Sequence, residues 1–171
     1  MCAGVSVGNL NLDDALGFFR ELVDPNFCEF YWDYQSDVEC GRDKLVRVFR
    51  KMVNLCLMLN HQADKVAHKL QYKCARTLIE EVTKYYPSEG AALNAIREFS
   101  NDIKHKSKLD QNYTTRKRGL NDQPQAGSDL PEWYFVSKNG ERIAVCAGAV
   151  DAYLFWGKWF AGERELLQKN T

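Results

Sequence analysis

From Gly41 to Tyr86 the chain contains no proline and no second glycine. So long a run without helix breakers constrains the fold more than any other feature. Within it Val46, Phe49, Met52, Val53, Cys56, Leu57 and Leu59 recur at helical spacing, and so do Val66, Leu70, Cys74, Leu78, Val82 and Tyr85. Both sets describe amphipathic helices with one apolar face. The polar run Asn60-His61-Gln62 is the expected turn between two antiparallel helices, with Asp64 near the start of the second. One unbroken helix is the alternative, and it would be unusually long for a globular domain.

The flanks extend the pattern. Leu12 to Val23 reads as a helix with Asp13 and Asp14 in its first turn, where the helix dipole favours acids, and Asp24-Pro25-Asn26 is expected to stop it. The aromatic, acidic segment from Phe27 to Cys40 carries no clear period. After Pro87, Ser88 is a candidate N-cap, and Ala91, Leu93, Ala95, Ile96, Phe99 and Ile103 carry a helix to about His105. The polar residues 107–132, which include Gly119, Pro124 and Gly127, read as a long surface loop. Trp133–Ser137 and Glu141–Val145 flank Lys138-Asn139-Gly140, a strong hairpin signal. A last helix, about Ala147 to Gln168, is apolar on nearly every side. Such a helix is central in a bundle or supplies an interface. The fold class expected is mainly α: one domain spanning 1–171, an antiparallel helical bundle with a small β-hairpin at about 133–145 before the last helix.

The 171 residues carry 23 basic and 23 acidic side chains, so the chain is no general nucleic-acid coat. The charges are unevenly placed. Leu12 to Cys40 holds eight acids against Arg20 alone, and Lys104 to Arg118 holds six Lys or Arg against Asp110 alone. That leaves room for a local anion site, or for the acidic end docking onto the basic end. The six cysteines, Cys2, Cys28, Cys40, Cys56, Cys74 and Cys146, form no CxxC pair. No secretory signal precedes them, so reduced thiols and a cytoplasmic location are expected, without a zinc site. The apolar run from Ile143 to Gly162 is interrupted by Asp151 and Lys158, which are costly in a bilayer, so it is expected to be buried rather than membrane-spanning.

There is no phosphate-cradling glycine loop, no GxSxG, no HExxH and no dinucleotide fingerprint. His61 and His68 would stand about 10 Å apart on a continuous helix, too far to share one metal, and read as solvated surface. The third histidine lies in Arg97-Glu98-Phe99-Ser100-Asn101-Asp102-Ile103-Lys104-His105-Lys106. There the sequence resembles the HEPN superfamily, helical bundles of prokaryotic toxins, defence systems and related nucleases. Their motif is an Arg, usually followed by a small polar residue, then His at the fifth position or slightly later. Asn101 through His105 matches the second part, while Ser100 stands where the motif has Arg.

The resemblance implies a homodimer in a defence or toxin–antitoxin setting and, if the chain is active, a metal-independent endoribonuclease. In such a site His105 would move a proton beside Asn101. Ser100 cannot supply the positive charge, and an Arg at that position is expected to restore it. Arg97 lies on the same stripe but about 12 Å upstream of His105, so it would reach that residue only from a second subunit. The adjoining Lys104, Lys106, Lys108, Tyr113, Arg116, Lys117 and Arg118 are candidates for phosphate contact and stacking on RNA. No cofactor and no metal are expected. Two alternatives accompany this reading: a non-catalytic module that binds a partner protein, and an RNA-binding protein that uses the 104–118 segment without chemistry.

Overall fold

A computed structural model describes residues 10–35, 41–103, 109–114 and 130–165. The fold is mainly helical with a small antiparallel sheet before the last helix. In chain order it runs α1 (Ala15–Phe18), a π-helical turn (Phe19–Val23), α2 (Asp24–Gln35), α3 (Arg42–Lys69), α4 (Ala75–Tyr85), α5 (Pro87–Asp102), β1 (Asp110–Thr114), β2 (Leu130–Val136), β3 (Arg142–Ala144) and α6 (Val145–Phe160).

Asp14 caps α1, its carboxylate accepting from the Leu16 and Gly17 amides at 3.0 and 3.1 Å. Those bonds, the one from Gly17 foremost, hold the Asp14 carboxyl below its ordinary value. The helix does not stop at Asp24-Pro25-Asn26 as expected. The wider π turn immediately before Pro25 fits a ring that has no N–H to give and crowds the preceding turn. The Asn26 side chain donates to the Leu22 carbonyl at 2.8 Å, and α2 continues through the aromatic segment to Gln35.

The expected turn at 60–62 is also overturned, because α3 runs straight through it. Asn60 and Gln62 are buried, and Gln62 Nε2 donates to the Ala15 carbonyl at 3.0 Å, tying α3 to α1. The true break follows Lys69, where Gln71 takes φ +60°. There the Tyr72 amide bonds the Ala67 carbonyl at 2.8 Å and the Gln71 amide bonds the His68 carbonyl at 3.1 Å. That is a Schellman turn without the glycine that normally announces one. The next helix break puts Pro87 itself at the first position of α5, so Ser88 is not the cap. Gly90 is needed at this tight α4–α5 corner: a Cβ there would lie 2.5 Å from the Thr83 Cα.

The hairpin forms where expected. Tyr134 pairs with Ala144, Phe135 with Ile143 and Val136 with Arg142. The Ser137 amide reaches the Glu141 carbonyl at 2.8 Å, and Gly140 supplies the left-handed residue of the turn at φ +81°. A third strand was not expected. Asp110–Thr114, placed by sequence in the 107–132 loop, pairs antiparallel with β2 in the order β1-β2-β3. Its residues Asp-Gln-Asn-Tyr-Thr show no apolar alternation, so pairing with β2 is what identifies it.

Of the two roles open to the last helix, the structure shows the central one. Val145, Cys146, Ala149, Val150, Ala152, Phe155 and Trp156 are all buried. Tyr153 stacks on Phe27 with ring centroids 3.5 Å apart and donates to Asp24 Oδ1 at 2.6 Å, joining α6 to α2. Asp151 and Lys158 are exposed, which fits an amphipathic boundary of the bundle. The helix ends at Phe160, earlier than expected, in a second Schellman turn from Glu163 to the Lys158 carbonyl and from Gly162 to the Trp159 carbonyl. Among the described residues no helix is long and apolar enough to cross a membrane.

Four described cysteines are free thiols: Cys28 and Cys74 exposed, Cys56 and Cys146 buried. Burial raises the Cys28 thiol, with Asp24 adding to the shift. The Thr77 amide at the start of α4 lowers Cys74, with Arg97 contributing. Of these four, thiol labelling of the folded protein near pH 7, followed by mass spectrometry, should therefore modify Cys74 first, Cys28 more slowly, and Cys56 and Cys146 only on unfolding. Resistance of any pair under denaturing, non-reducing conditions would contradict free thiols.

Candidate functional site

The described residues of the motif, up to Ile103, close α5, and their side chains divide between core and surface. Each helical residue turns about 100°, so Asn101 leaves the buried face that Phe99 and Ser100 share. Ile96, Phe99 and Ser100 turn inward and are buried. Ser100 is fully enclosed, and its hydroxyl donates to the Cys56 carbonyl of α3 at 3.0 Å. The position where the motif has Arg therefore belongs to the core. The expectation that Ser100→Arg would restore a catalytic charge is corrected: an arginine there would displace packing before it could meet a phosphate.

Asn101 and Arg97, four residues apart, face outward together. They open on one cleft of about 830 Å³ between α4, α5 and the hairpin turn, shared with Arg76, Glu80, Asn94 and Lys138. Two contacts hold the hairpin turn against α5. Phe135 packs on Phe99 with centroids 5.8 Å apart, and the Lys138 amide donates to Glu98 Oε2 at 3.4 Å. Glu98 also accepts from Asn94 at 3.0 Å, and Arg76 pairs with Glu80 at 2.9 Å. The cleft is thus polar and electrically mixed rather than a strongly positive channel.

Arg97 is half-buried and turns toward α3, where its Nη1 lies 3.9 Å from Asp64 Oδ1. The same carboxylate lies 3.9 Å from His61 Nδ1 through its other oxygen. Separations of this length between half-exposed partners are worth little in stability, so Arg97 can exchange Asp64 for another anion at small cost. His61 and His68 are exposed, as expected of solvated helix surface.

The structure unites only part of the predicted site. Arg97 and Asn101 share the cleft. His105, Lys104, Lys106, Lys108, Arg116, Lys117 and Arg118 lie outside the described residues. Tyr113 is described in its backbone alone, paired with Pro131 in the sheet. Asp64, Lys138 and Cys74 were not singled out beside Arg97 by sequence. Asp64 is distant along the chain, Lys138 follows a hairpin residue that reads as structural, and Cys74 matched the apolar spacing of a helix it in fact caps. Among the described residues no group of three or more His, Cys, Asp or Glu could hold a metal ion.

Compared with protein-family models, curated proteins and solved structures, the chain matches none of them.

Proposed function

We propose that this chain is a HEPN-like helical bundle that binds single-stranded RNA at the C-terminal end of α5 and does not cut it. The observation that carries this is the opposite facing of neighbouring motif residues. Asn101 and Arg97 open on the α4–α5 cleft, whereas Ser100 is enclosed and bonded to the Cys56 carbonyl. Binding requires donors and charge at an accessible surface, and the cleft supplies both through Asn101, Arg97 and Lys138. Beyond Ile103 the sequence adds Lys104, Lys106 and Lys108, positive charge of the kind that attracts phosphate.

Metal-independent cutting asks for more. The phosphate passes through a state of greater negative charge, and a preorganised cation must meet it while His105 moves a proton. A serine hydroxyl is neutral, and this one is already committed to a backbone carbonyl. Arg97 does not stand ready in its place: eight residues upstream of His105 in sequence, it turns toward Asp64 of α3, 3.9 Å away. A homodimer, and a place in a prokaryotic defence or toxin–antitoxin system, are proposed on the family resemblance alone.

Fluorescence anisotropy with an end-labelled single-stranded RNA tests the binding half. At about 50 mM salt the parent should bind, with affinity falling steeply as salt rises. Asn101→Ala and Arg97→Gln should each weaken it about tenfold while leaving the thermal midpoint nearly unchanged. Salt-dependent binding untouched by both variants would assign RNA to the 104–118 segment instead. No binding even at low salt would leave the partner-protein module.

A further inference from the structure

The α4–α5 cleft is lined by three cations, Arg76, Arg97 and Lys138, and by three carboxylates, Glu80, Glu98 and Asp102. A cleft so balanced gains little from phosphate alone, and what it can select is a pattern of donors and acceptors. Resting on the RNA-binding function proposed above, we propose that this cleft takes an unpaired base and that the base it prefers is guanine.

Helical spacing sets donors and acceptors side by side on α5. Arg97 and Asn101 form one stripe, and Glu98 and Asp102 form the next. The carboxylates are not equivalent. Glu98 is held by the Asn94 side chain at 3.0 Å and the Lys138 amide at 3.4 Å, and Glu80 by Arg76 at 2.9 Å. Asp102 is exposed and pairs with no described residue. Its place in the last turn of α5 is also unfavourable, because a carboxylate there meets the negative pole of the helix dipole. Residues that break a local rule gather at binding sites, and this one stands at the rim of a cleft.

Guanine answers this arrangement. Its N1–H and its N2 amino group lie side by side and can both donate to one carboxylate, an adjacent pair that adenine, cytosine and uracil lack. Its O6 and N7 accept together, on the edge that arginine reads bidentately. Asp102 and Arg97 are five residues apart, about 7.5 Å along the helix, a span that a purine bridges from one edge to the other. Arg97 can turn from Asp64, which it meets only at 3.9 Å. Asp102 therefore reads the donors, and Arg97, with Asn101 beside it, reads the acceptors.

Fluorescence anisotropy with three end-labelled single strands of one length tests the assignment. The first is an RNA of adenine and cytosine, the second carries one central guanine, and the third carries inosine at that place. Equal length keeps the phosphate attraction constant. The parent should bind the guanine strand about tenfold tighter than the guanine-free one. Inosine, which lacks the N2 amino group, should lose most of that gain. Asp102→Asn should erase the preference yet bind the guanine-free strand at least as well, since a negative charge leaves the path of the RNA. A purely structural role for Asp102 would shift every strand alike. The proposal is overturned if Arg97→Gln weakens binding but the parent holds the guanine strand no better than the guanine-free one, or if the preference survives Asp102→Asn. A parent that binds none of the strands would instead overturn the function on which the proposal rests.

Discussion

Replacing Ser100 by arginine is expected to cost about 3–5 kcal/mol of stability, enough to unfold a marginal bundle, and to create no nuclease. The serine is fully buried between α5 and α3, flanked along the chain by buried Phe99 and in the preceding turn by buried Ile96. A guanidinium at that point would be both oversized and desolvated, and each defect alone is destabilising. Ser100→Ala should cost no more than about 1 kcal/mol, because the Cys56 carbonyl loses one hydrogen bond without becoming a stranded charge. Urea unfolding curves for the three proteins separate these outcomes. An arginine variant with the parent's midpoint would place residue 100 at the surface and return it to the catalytic motif.

The second large effect lies at Glu132, a buried carboxylate on β2. It accepts three backbone amides: Cys146 at 2.7 Å, Trp133 at 3.0 Å and Ala147 at 3.1 Å. Two of these donors open α6, so a side chain from the sheet caps the central helix and fixes it to β2. Glu132→Ala strands three N–H groups in the interior and should cost about 3 kcal/mol. Glu132→Gln should cost less, about 1–2 kcal/mol, since its oxygen still accepts while its NH₂ meets the Ala147 amide.

Burial raises the Glu132 carboxyl above its ordinary value of 4.5, with the three amides pulling the other way. An acid raised on folding keeps its proton in the folded chain over a pH window in which the unfolded chain has already lost it. Its contribution is therefore fully present below the unfolded value. It is lost as pH rises through the folded one, and it is flat beyond that. The Gln variant should lack this slope. An Ala variant as stable as the parent would contradict the cap.

Much of the fold was legible because local rules and packing agree. The unbroken run after Gly41, the Asn139-Gly140 turn and the apolar last helix each form the expected kind of element. The errors share one cause, which is that long-range contacts outvoted local signals. Asn60 and Gln62 look like turn residues, yet Gln62 is buried and its Nε2 donates to the Ala15 carbonyl of α1. The real turn at Gln71 uses no glycine, and the helix through Pro25 is rescued by a π turn that no local residue announces. β1 depends on its neighbour strand. At the site, helical spacing correctly put Arg97 and Asn101 on one stripe. It could not show that Ser100 faces Cys56, or that Asp64 of α3 comes up beside Arg97, because both depend on how α3 and α5 cross.

The central claim, RNA held but not cut, is tested most directly by one incubation. Purified protein and end-labelled single-stranded RNA are mixed at low salt with a metal chelator. The same sample is then read twice, by native gel for binding and by denaturing gel for chain length. The account predicts a retarded RNA that remains full length, with retardation weakened by Arg97→Gln and Asn101→Ala. RNA fragments that disappear in the His105→Ala protein would contradict it, because they would mean that the site cuts without an arginine at residue 100.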